Sequence, residues 1–502
     1  MRIGIYNRYW TTLGGGERHV GSMIDAVFSG SEVDLISVKP FDLESLREKL
    51  SLKLCNCRVV VWPDLSDNAL VARTCDYDLF VNATYCSSLY SLATHSVYFT
   101  FFPHKRIRQV KSKFNIPRAI VISGSYEKEA DGLMWTYPKS RWTFNTFRKE
   151  LRIPFRRINP NANRDERIVV RSSGCLVVKA DLDELIIRGV KPFISSITIE
   201  FPSYEPGVSD RRILGAPVDM NLLCESGGFR EDDVNIVKLF KADFVRSYDT
   251  IIANSEYTRH WIKKRWRRSA SILTPEINSP NSSRQEKEKR IISVGRFFPE
   301  RVGSHNKKQD VLIRAFRTLC ELKEVRDHWV LTLVGTMMKA PEDVLYLKEL
   351  RHLAEGLPVE FHVDVDRSVL NTLYQKSYLF WQATGYGESM KSPELFEHFG
   401  ITTCESMSYG CIPVVYDAGG QREIVETGTN GFRFRSIDEL CEQSQRVIEL
   451  YRKPESVRIA NEARETALRY ERLDSGVVEK LKKIIESNDQ DRLGKGDEVS
   501  IP

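Results

Sequence analysis

The sequence predicts an α/β protein with two domains, each built on a parallel β-sheet. The chain has 502 residues, which is too many for one hydrophobic core. Strand-like runs such as Arg2–Tyr6 and Ile412–Tyr416 alternate with helix-like runs such as Glu256–Arg265. This alternation is typical of parallel sheets whose strands are connected by helices. The composition, with 41% hydrophobic and 28% charged residues, is ordinary for a soluble globular protein.

Changes in this rhythm predict the domain boundaries. A Pro-, Ser- and Asn-rich stretch with a run of charges indicates a linker in the middle of the chain, and the alternation restarts after it. The predicted segments are 1–272 for an N-terminal Rossmann-like domain with an insertion at about 140–240, 273–290 for the linker, 291–452 for a second Rossmann-like domain facing the first across a cleft, 453–487 for a closing helix and 488–502 for a disordered tail.

Charge and cysteine content narrow the environment and the ligands. No run is long and apolar enough to span a bilayer, and Met1–Tyr6 indicates a β-strand rather than a signal peptide. The ten cysteines are scattered, and Cys55 and Cys57 lack the spacing of a zinc site. We therefore expect a cytoplasmic protein. The net charge of +6 suits an anionic ligand or membrane surface but does not indicate nucleic acid.

The sharpest functional signal lies between Glu397 and Glu405, which flank a Phe-Gly turn that opens a predicted helix. A helix N-terminus suits a diphosphate, because it offers free N–H groups and the positive end of a dipole. We therefore predict that Phe399, Gly400 and Ile401 contact a nucleotide. Glu405 can reach a ribose diol with its two acceptor oxygens, and Glu397 can hold sugar hydroxyls beside the reacting carbon. The alternative is two solvated surface charges, which is more common for two glutamates taken alone.

This segment resembles the E-x7-E signature of retaining GT-B glycosyltransferases of the glycogen-synthase-like group 4, and its Glu-His-Phe-Gly form is similar to that of some mannosyltransferases. The resemblance is strong from about Ile291 to Tyr451, weaker in the first 130 residues and at Asp249–Trp261, and absent from 140–240. It implies a GT-B fold and retaining transfer of a hexose-type sugar from a nucleoside-diphosphate donor to a hydroxyl, in polysaccharide or glycolipid synthesis. No cofactor and no essential metal are expected.

Two cations support the resemblance. In the family, an arginine after a strand and a lysine opening the next helix clamp the donor diphosphate, and the matching residues here are Arg296 and Lys307. Such fixed charges offset the negative charge that grows on the leaving nucleoside diphosphate. Where the family often has glycine after the lysine, this chain has Lys308, so either lysine can be the phosphate ligand. A solvated basic helix start is the alternative.

In the N-terminal half, the glycine run containing Gly15 and Gly16 resembles the family's loop beside the acceptor and the donor phosphate. Every Rossmann-like domain needs such a loop, so it is weak evidence alone. Many relatives have a histidine near the donor sugar. Phe101 aligns with it here, and His104 is the candidate replacement with a catalytic role. An isolated histidine beside a basic run is more often a surface residue.

The expected partners are a nucleotide-sugar donor, a glycan or glycolipid acceptor and an anionic membrane surface, but no nucleic acid. Membrane contact is suggested by the basic stretches His104–Lys113 and Lys263–Arg268, although such stretches are more often ordinary solvated faces. Such contact would be peripheral, at the inner face of the membrane. The alternatives are another GT-B enzyme acting on a nucleotide sugar, such as an epimerase or an inverting transferase, and a catalytically silent nucleotide-sugar-binding scaffold.

Overall fold

The structure is a computed structural model of the chain, and all structural statements concern the residues that it describes. The described residues are 1–63, 70–71, 73–91, 93–105, 119–131, 133–145, 150–155, 169–173, 175–180, 183–189, 195–200, 217–227, 234–236, 244–277, 279, 286–300, 306–338 and 340–493.

The N-terminal domain is built on a seven-stranded sheet in which all neighbouring strands are parallel. In spatial order its strands are Ser271–Ile272, Thr250–Ala253, His95–Thr100, Leu79–Asn82, Ile3–Tyr6, Val33–Ser37 and Cys57–Val61. The helices of this domain are Gly15–Val27, Leu43–Leu50 and Glu256–Trp266, with short 3-10 turns at Trp10–Thr12, Thr74–Asp76 and Phe244–Ser247. Strand order reverses at the first strand, as in doubly wound α/β folds.

The C-terminal domain repeats this plan on a six-stranded parallel sheet. In spatial order its strands are Val359–Val363, Val330–Gly335, Glu288–Val294, Ser377–Gln382, Ile412–Tyr416 and Phe432–Phe434. Its helices are Gln309–Leu319, Lys323–His328, Pro341–Leu353, Arg367–Lys376, Ile401–Ser408, Gln421–Ile424 and Ile437–Glu449, with a 3-10 turn at Pro393–Leu395. This strand order is the Rossmann order, so the predicted pair of Rossmann-like domains is confirmed.

The insertion separates two strands that are direct neighbours in the N-terminal sheet, His95–Thr100 and Thr250–Ala253. Its described residues form two mostly antiparallel sheets and one helix, around a core that includes Trp142 and Leu185. Its elements are Ala119–Lys128, Leu133–Asn145, Glu150–Pro154, Val169–Ser173, Cys175–Ala180, Glu184–Gly189, Ser195–Glu200, Pro217–Asp219, the helix Met220–Gly227 and Val234–Ile236. The insertion therefore begins before the predicted residue 140, because Ala119–Lys128 pairs with Leu133–Asn145.

The single closing helix predicted at 453–487 is two helices, Pro454–Leu468 and Ser475–Leu493. The second returns to the N-terminal domain, where Val478 and Leu481 are buried in the core of that domain. Helix also occupies the start of the predicted tail 488–502, whereas 494–502 lie outside the described residues. The predicted linker is shorter than 273–290, because the strand Glu288–Val294 already begins within it.

Within the described part of the chain, no helix combines the length and the apolar character that crossing a bilayer requires.

Candidate active site

Glu397 lies on the loop before the helix Ile401–Ser408 and is held by two side chains of its own domain. Its Oε2 accepts a hydrogen bond from Lys307 Nζ at 2.7 Å and another from Gln382 Nε2 at 2.7 Å. Gln382 is the last residue of its strand, and ligands of open α/β sheets bind at the carboxyl ends of strands. The Glu397 side chain is 14% exposed, so it is fixed by its partners and still accessible to a ligand. Gln382 was not identified as a site residue from the sequence.

The two predicted cations lie on adjoining segments. The helix begins at Gln309 and not at Lys307, because Lys308 has a left-handed φ of 53°. Lys307 is therefore a loop residue, and its side chain reaches Glu397. The Gln309 side-chain amide donates to the carbonyls of Gly295 at 3.3 Å and Arg296 at 3.0 Å, which ties the two segments together. Arg296 is exposed, and its guanidinium lies over the Phe298 ring, 5.7 Å from the centroid.

Lys308 contacts a different carboxylate from Lys307. Its Nζ lies 2.6 Å from Glu388 Oε1 and 3.5 Å from Glu300 Oε2. Burial alone would lower the pKa of Lys308, but the hydrogen bond and the charge of Glu388 outweigh burial and raise it. Of the two lysines, Lys307 is therefore the one in contact with Glu397.

The turn before the helix Ile401–Ser408 requires glycine at position 400. The φ of Gly400 is +119°, and a Cβ there would lie 2.9 Å from the side-chain nitrogen of Gln421. Phe399 is buried, and its ring packs edge-on against Tyr470 with centroids 5.2 Å apart. The backbone N–H groups at this helix start are thereby held in one arrangement, which suits an anion.

The glycine run of the N-terminal domain meets this helix start. A Cβ on Gly15 would lie 2.8 Å from Ile401 Cδ1, and one on Gly16 would lie 3.2 Å from the Phe101 ring. Gly15 is itself the first residue of the helix Gly15–Val27. Two helix N-termini, one from each domain, therefore meet at the contact between Gly15 and Ile401.

Glu405 lies in a buried cluster that joins the domains, and its side chain is only 3% exposed. Its Oε1 accepts from Arg18 Nη1 at 3.0 Å and from Arg367 Nη2 at 2.7 Å, and Tyr374 donates its hydroxyl to Oε2 at 3.3 Å. Burial lowers the pKa of Arg18. Burial acts in the same direction on Arg367, but there the charge of Glu405 outweighs it and raises the pKa. Neither arginine was identified from the sequence, although Arg18 lies two residues after the glycine run.

The structure does not bring His104 to this site, contrary to the prediction. Its ring stacks on Phe244, with centroids 5.0 Å apart, and packs edge-on against Trp266. Burial lowers the pKa of His104 to about 4. The aromatic core of the N-terminal domain holds this ring, which explains the residue without a catalytic role. In the basic stretch His104–Lys113, residues from 106 onward lie outside the described residues.

His398 lies at the domain interface. Its buried ring stacks on Phe102 with centroids 4.4 Å apart, and its Nε2 lies 3.1 Å from the Glu394 carbonyl oxygen. Its own carbonyl accepts a hydrogen bond from Ser255 Oγ at 2.6 Å. Burial lowers the pKa of His398 to about 4. The residue next to Glu397 therefore attaches the site loop to the N-terminal domain.

Glu423 makes a further contact between the domains. Its carboxylate accepts from the backbone N–H groups of Glu256 at 2.9 Å and Tyr257 at 2.5 Å, at the start of the helix Glu256–Trp266. Burial raises the pKa of Glu423. A carboxylate of one domain thus caps a helix of the other, which offsets the positive end of the helix dipole.

We predict that acidification weakens the domain interface through His398. Its folded pKa of about 4 lies below the ordinary histidine value of 6.5, so the unfolded chain takes up the proton first. The contribution of the neutral His398 ring to the stability of the fold is therefore fully present above about pH 6.5. It is lost progressively as the pH falls toward 4. Between pH 7 and pH 5, the unfolding free energy measured with urea should fall less in His398→Phe than in the wild-type protein. The difference should be up to about 2 kcal/mol. The same pH dependence in both proteins would contradict this assignment.

A second prediction concerns the turn that packs on the Glu397 backbone. Gly419 has a φ of +64°, and a Cβ there would overlap the carbonyl oxygen of Glu397. Gly428 also has a positive φ, of +83°, but has open space around its Cα. Gly428→Ala should lower the unfolding free energy by about 1–2 kcal/mol through backbone strain alone. Gly419→Ala should cost about 2 kcal/mol more because of the overlap, and equal urea midpoints would refute this.

Solved structures with the same fold support the two-domain architecture. The chain is similar over 96% of its length to a glycosyltransferase from Rickettsia africae ESF-5, with 11% identity, 98% coverage of that chain and a TM-score of 0.52. It is also similar over 98% of its length to Anabaena Alr3699/HepE in complex with UDP, with 14% identity, complete coverage of that chain and a TM-score of 0.50. These likenesses identify the GT-B fold.

A family model described as "Glycosyl transferases group 1" matches residues 276–466. The match contains Arg296, Lys307 and the segment from Glu397 to Glu405, and it covers less than half of the chain. The fold is therefore GT-B, and residues 276–466 of its C-terminal half are similar to the glycosyl transferases group 1 family.

Curated relatives share part of the sequence. A "GDP-Man:Man(3)GlcNAc(2)-PP-Dol alpha-1,2-mannosyltransferase" of Xenopus laevis is 31% identical over 219 residues, which are 40% of this chain and 42% of the relative. The Homo sapiens protein of the same description is 27% identical over 219 residues, with the same coverage of both chains. The matched part of the chain spans less than half the length of these relatives.

Proposed function

We propose that this protein is a retaining glycosyltransferase that moves a hexose-type sugar from a nucleoside-diphosphate donor to a hydroxyl of a glycan. One observation carries the proposal: two helix N-termini, one from each domain, meet at Gly15 and Ile401, beside a loop carboxylate bound to a lysine. Such a junction suits the diphosphate of a sugar nucleotide. The carboxylate of Glu397 then lies next to the sugar attached to that diphosphate.

The roles of the side chains follow from their charges. Lys307 and Arg296 would offset the charge that develops on the nucleoside diphosphate as the bond to the sugar breaks. Glu397 would hold sugar hydroxyls, with Gln382 and Lys307 keeping its carboxylate in place. Glu405 would bind the ribose, which requires that the nucleoside displace one of its present partners, Arg18 being the one from the other domain.

A mannosyl donor with guanosine diphosphate and a glycan on a lipid diphosphate are the substrates that we propose. The relatives with 27–31% identity carry these substrates in their descriptions. The fold neighbour with UDP is 14% identical and supports the architecture alone. The group 4 assignment and retention of configuration are part of this proposal and follow from the resemblance of the Glu397–Glu405 segment. No essential metal is part of it.

The donor is tested by adding GDP-mannose, UDP-glucose, UDP-N-acetylglucosamine and ADP-glucose separately and measuring the melting temperature. We expect the largest rise with GDP-mannose. Transfer is then measured by mass spectrometry with a lipid-linked glycan as acceptor and with donor alone. Product of the same anomeric configuration as the donor supports the proposal. Isomerised nucleotide sugar without acceptor would identify an epimerase, and an inverted product an inverting transferase.

A second candidate is a nucleotide-sugar-binding protein without turnover. One observation favours it: Phe101, which aligns with the family histidine, packs against Gly16 and Phe99 and offers no polar group to the donor sugar. This candidate predicts a nucleotide-dependent rise in melting temperature with no release of nucleoside diphosphate. Release in the presence of the acceptor would exclude it.

A further inference from the structure

A pocket of about 640 Å³ lies on the N-terminal domain, and Glu256, at one end of its lining, also takes part in the contact with Glu423 described above. One face of the helix Glu256–Trp266 and the loop after it form this pocket. Its charged lining residues are Glu256, Arg259, Lys263, Arg267 and Arg268. Positions 256, 259 and 263 recur at intervals of three or four, so their side chains share one face of the helix. Arg267 caps the end of the helix with a left-handed φ of 55° and lines the pocket from the loop.

The charges of this pocket are only partly compensated. Arg259 pairs with Glu256 at 2.6 Å. Arg268 donates to two backbone carbonyls, those of Val245 at 3.0 Å and Tyr248 at 2.7 Å, which fix the guanidinium without cancelling its charge. Lys263 and Arg267 have no acidic partner among the residues that the structure describes. Four cationic side chains and one acidic one leave a formal charge of +3 with His260 neutral.

The helix itself does not account for this charge. The carboxyl end of a helix dipole carries roughly −0.5 charge, which is too little to balance three positive ones. Lys263 and Arg267 are like charges that line the same pocket, which is unfavourable without a counter-ion. The pocket therefore suits a ligand with more than one negative charge and several acceptor oxygens. A diphosphate has both properties.

The same helix connects the pocket to the candidate active site. Ser255 caps its start and donates to the carbonyl of His398, the residue after Glu397. The helix has 11 residues, which at 1.5 Å per residue place Arg267 about 16 Å from that contact. An anion bound at Arg267 and Arg268 is thus separated from the contact between Ser255 and His398 by more than one sugar unit. A glycan of several sugars on a diphosphate has this form.

We propose that the pocket at Arg259, Lys263, Arg267 and Arg268 binds the diphosphate that joins the acceptor glycan to its lipid. The far end of the glycan then reaches Glu397, and the lipid stays outside the protein. The inference rests on the proposed function, because it assigns the acceptor of that same transfer. It differs from contact with an anionic membrane, because it requires the diphosphate itself and not the charge of a surface.

The first test compares two acceptors with the same glycan, one on a lipid diphosphate and one without the diphosphate. In the double variant Lys263→Gln/Arg267→Gln, the KM for the lipid diphosphate should rise about tenfold, as expected for the loss of a charge-assisted hydrogen bond. The KM for the donor and the transfer to the glycan alone should stay unchanged. The matched control is Lys348→Gln/Arg351→Gln, which removes the same charge from an exposed helix of the C-terminal domain.

The outcomes separate the two proposals. An unchanged KM for the lipid diphosphate in an active double variant overturns the pocket assignment and leaves the transferase proposal intact. If the wild-type protein transfers to neither acceptor, the proposed function fails, and the second test still decides the pocket. An equal rise in KM for both acceptors would show that the two side chains bind glycan, which also overturns the diphosphate assignment.

The second test is co-sedimentation with vesicles and needs no transfer. One set contains phosphatidylcholine with a polyprenyl diphosphate, and the other contains phosphatidylcholine with phosphatidylserine at equal surface charge. The wild-type protein should bind the diphosphate vesicles more tightly, and Lys263→Gln/Arg267→Gln should abolish that difference while the control variant keeps it. Equal binding of the wild-type protein to both sets would indicate a general electrostatic contact and overturn the inference.

Discussion

Glu397→Gln is expected to lower kcat by about 10²–10³-fold while nucleotide binding changes little. Glutamine keeps the size and the hydrogen-bonding reach of the side chain. It removes the negative charge that Lys307 and Gln382 hold in place at 2.7 Å. The dissociation constant of the nucleoside diphosphate should therefore be close to that of the wild type. Isothermal titration with the nucleotide and steady-state kinetics with donor and acceptor measure the two quantities. Glu397→Ala should abolish transfer as well.

The matched control for this prediction is Glu388→Gln. Glu388 binds Lys308 as Glu397 binds Lys307, with an Nζ to Oε distance of 2.6 Å, and both side chains are 14% exposed. The control therefore tests the loss of a half-buried lysine–carboxylate pair without touching the proposed sugar contact. A similar fall in kcat for both variants would show that Glu397 acts through structure and would remove its assigned role.

The second large effect is expected at Lys307. Lys307→Met should lower kcat/KM by about 10²–10³-fold, because a positive charge that offsets the leaving diphosphate is lost. Lys308→Met should lower it less than about tenfold, because Lys308 points to Glu388 and Glu300. Initial rates at low donor concentration measure this directly. If Lys308→Met lost most of its kcat/KM while Lys307→Met kept it, the assignment of the phosphate ligand would be reversed.

Arg296 is the second cation that we assign to the leaving diphosphate. Arg296→Ala should produce a loss comparable to that of Lys307→Met, although its guanidinium lies over Phe298 in this structure. The exposed side chain has room to turn from that ring toward a bound diphosphate. Near-normal turnover in Arg296→Ala would mean that one cation suffices for the leaving group.

Local patterns in the sequence predicted most of the fold. The strand Ile412–Tyr416 is confirmed to the residue, because an apolar run between turn residues defines a buried parallel strand. The insertion boundary was wrong because an apolar strand such as Ala119–Lys128 does not reveal which sheet it joins. This helix was predicted to open at Lys307 and begins at Gln309 instead, because the left-handed φ of Lys308 cannot be inferred from its neighbours.

The site shows the same division between local and distant information. The glycine turn at Gly400 and the helix after it follow from adjacent residues, and the prediction of both is confirmed. The pairing of Arg18 with Glu405 joins residues 387 positions apart, and no local pattern specifies it. The position of the His104 ring likewise depends on which aromatic rings pack nearby. Spacing gave no information on that.

The final helix determines when the N-terminal domain can finish folding during translation. Val478 and Leu481 complete the apolar interior of the domain formed by the first residues of the chain. During translation, that first domain stays unfinished until the ribosome has passed Ser475–Leu493, well after the second sheet has emerged. A ribosome that stalls or terminates before this helix releases a protein with two assembled sheets and an exposed apolar surface. Chaperones and proteases act on such surfaces.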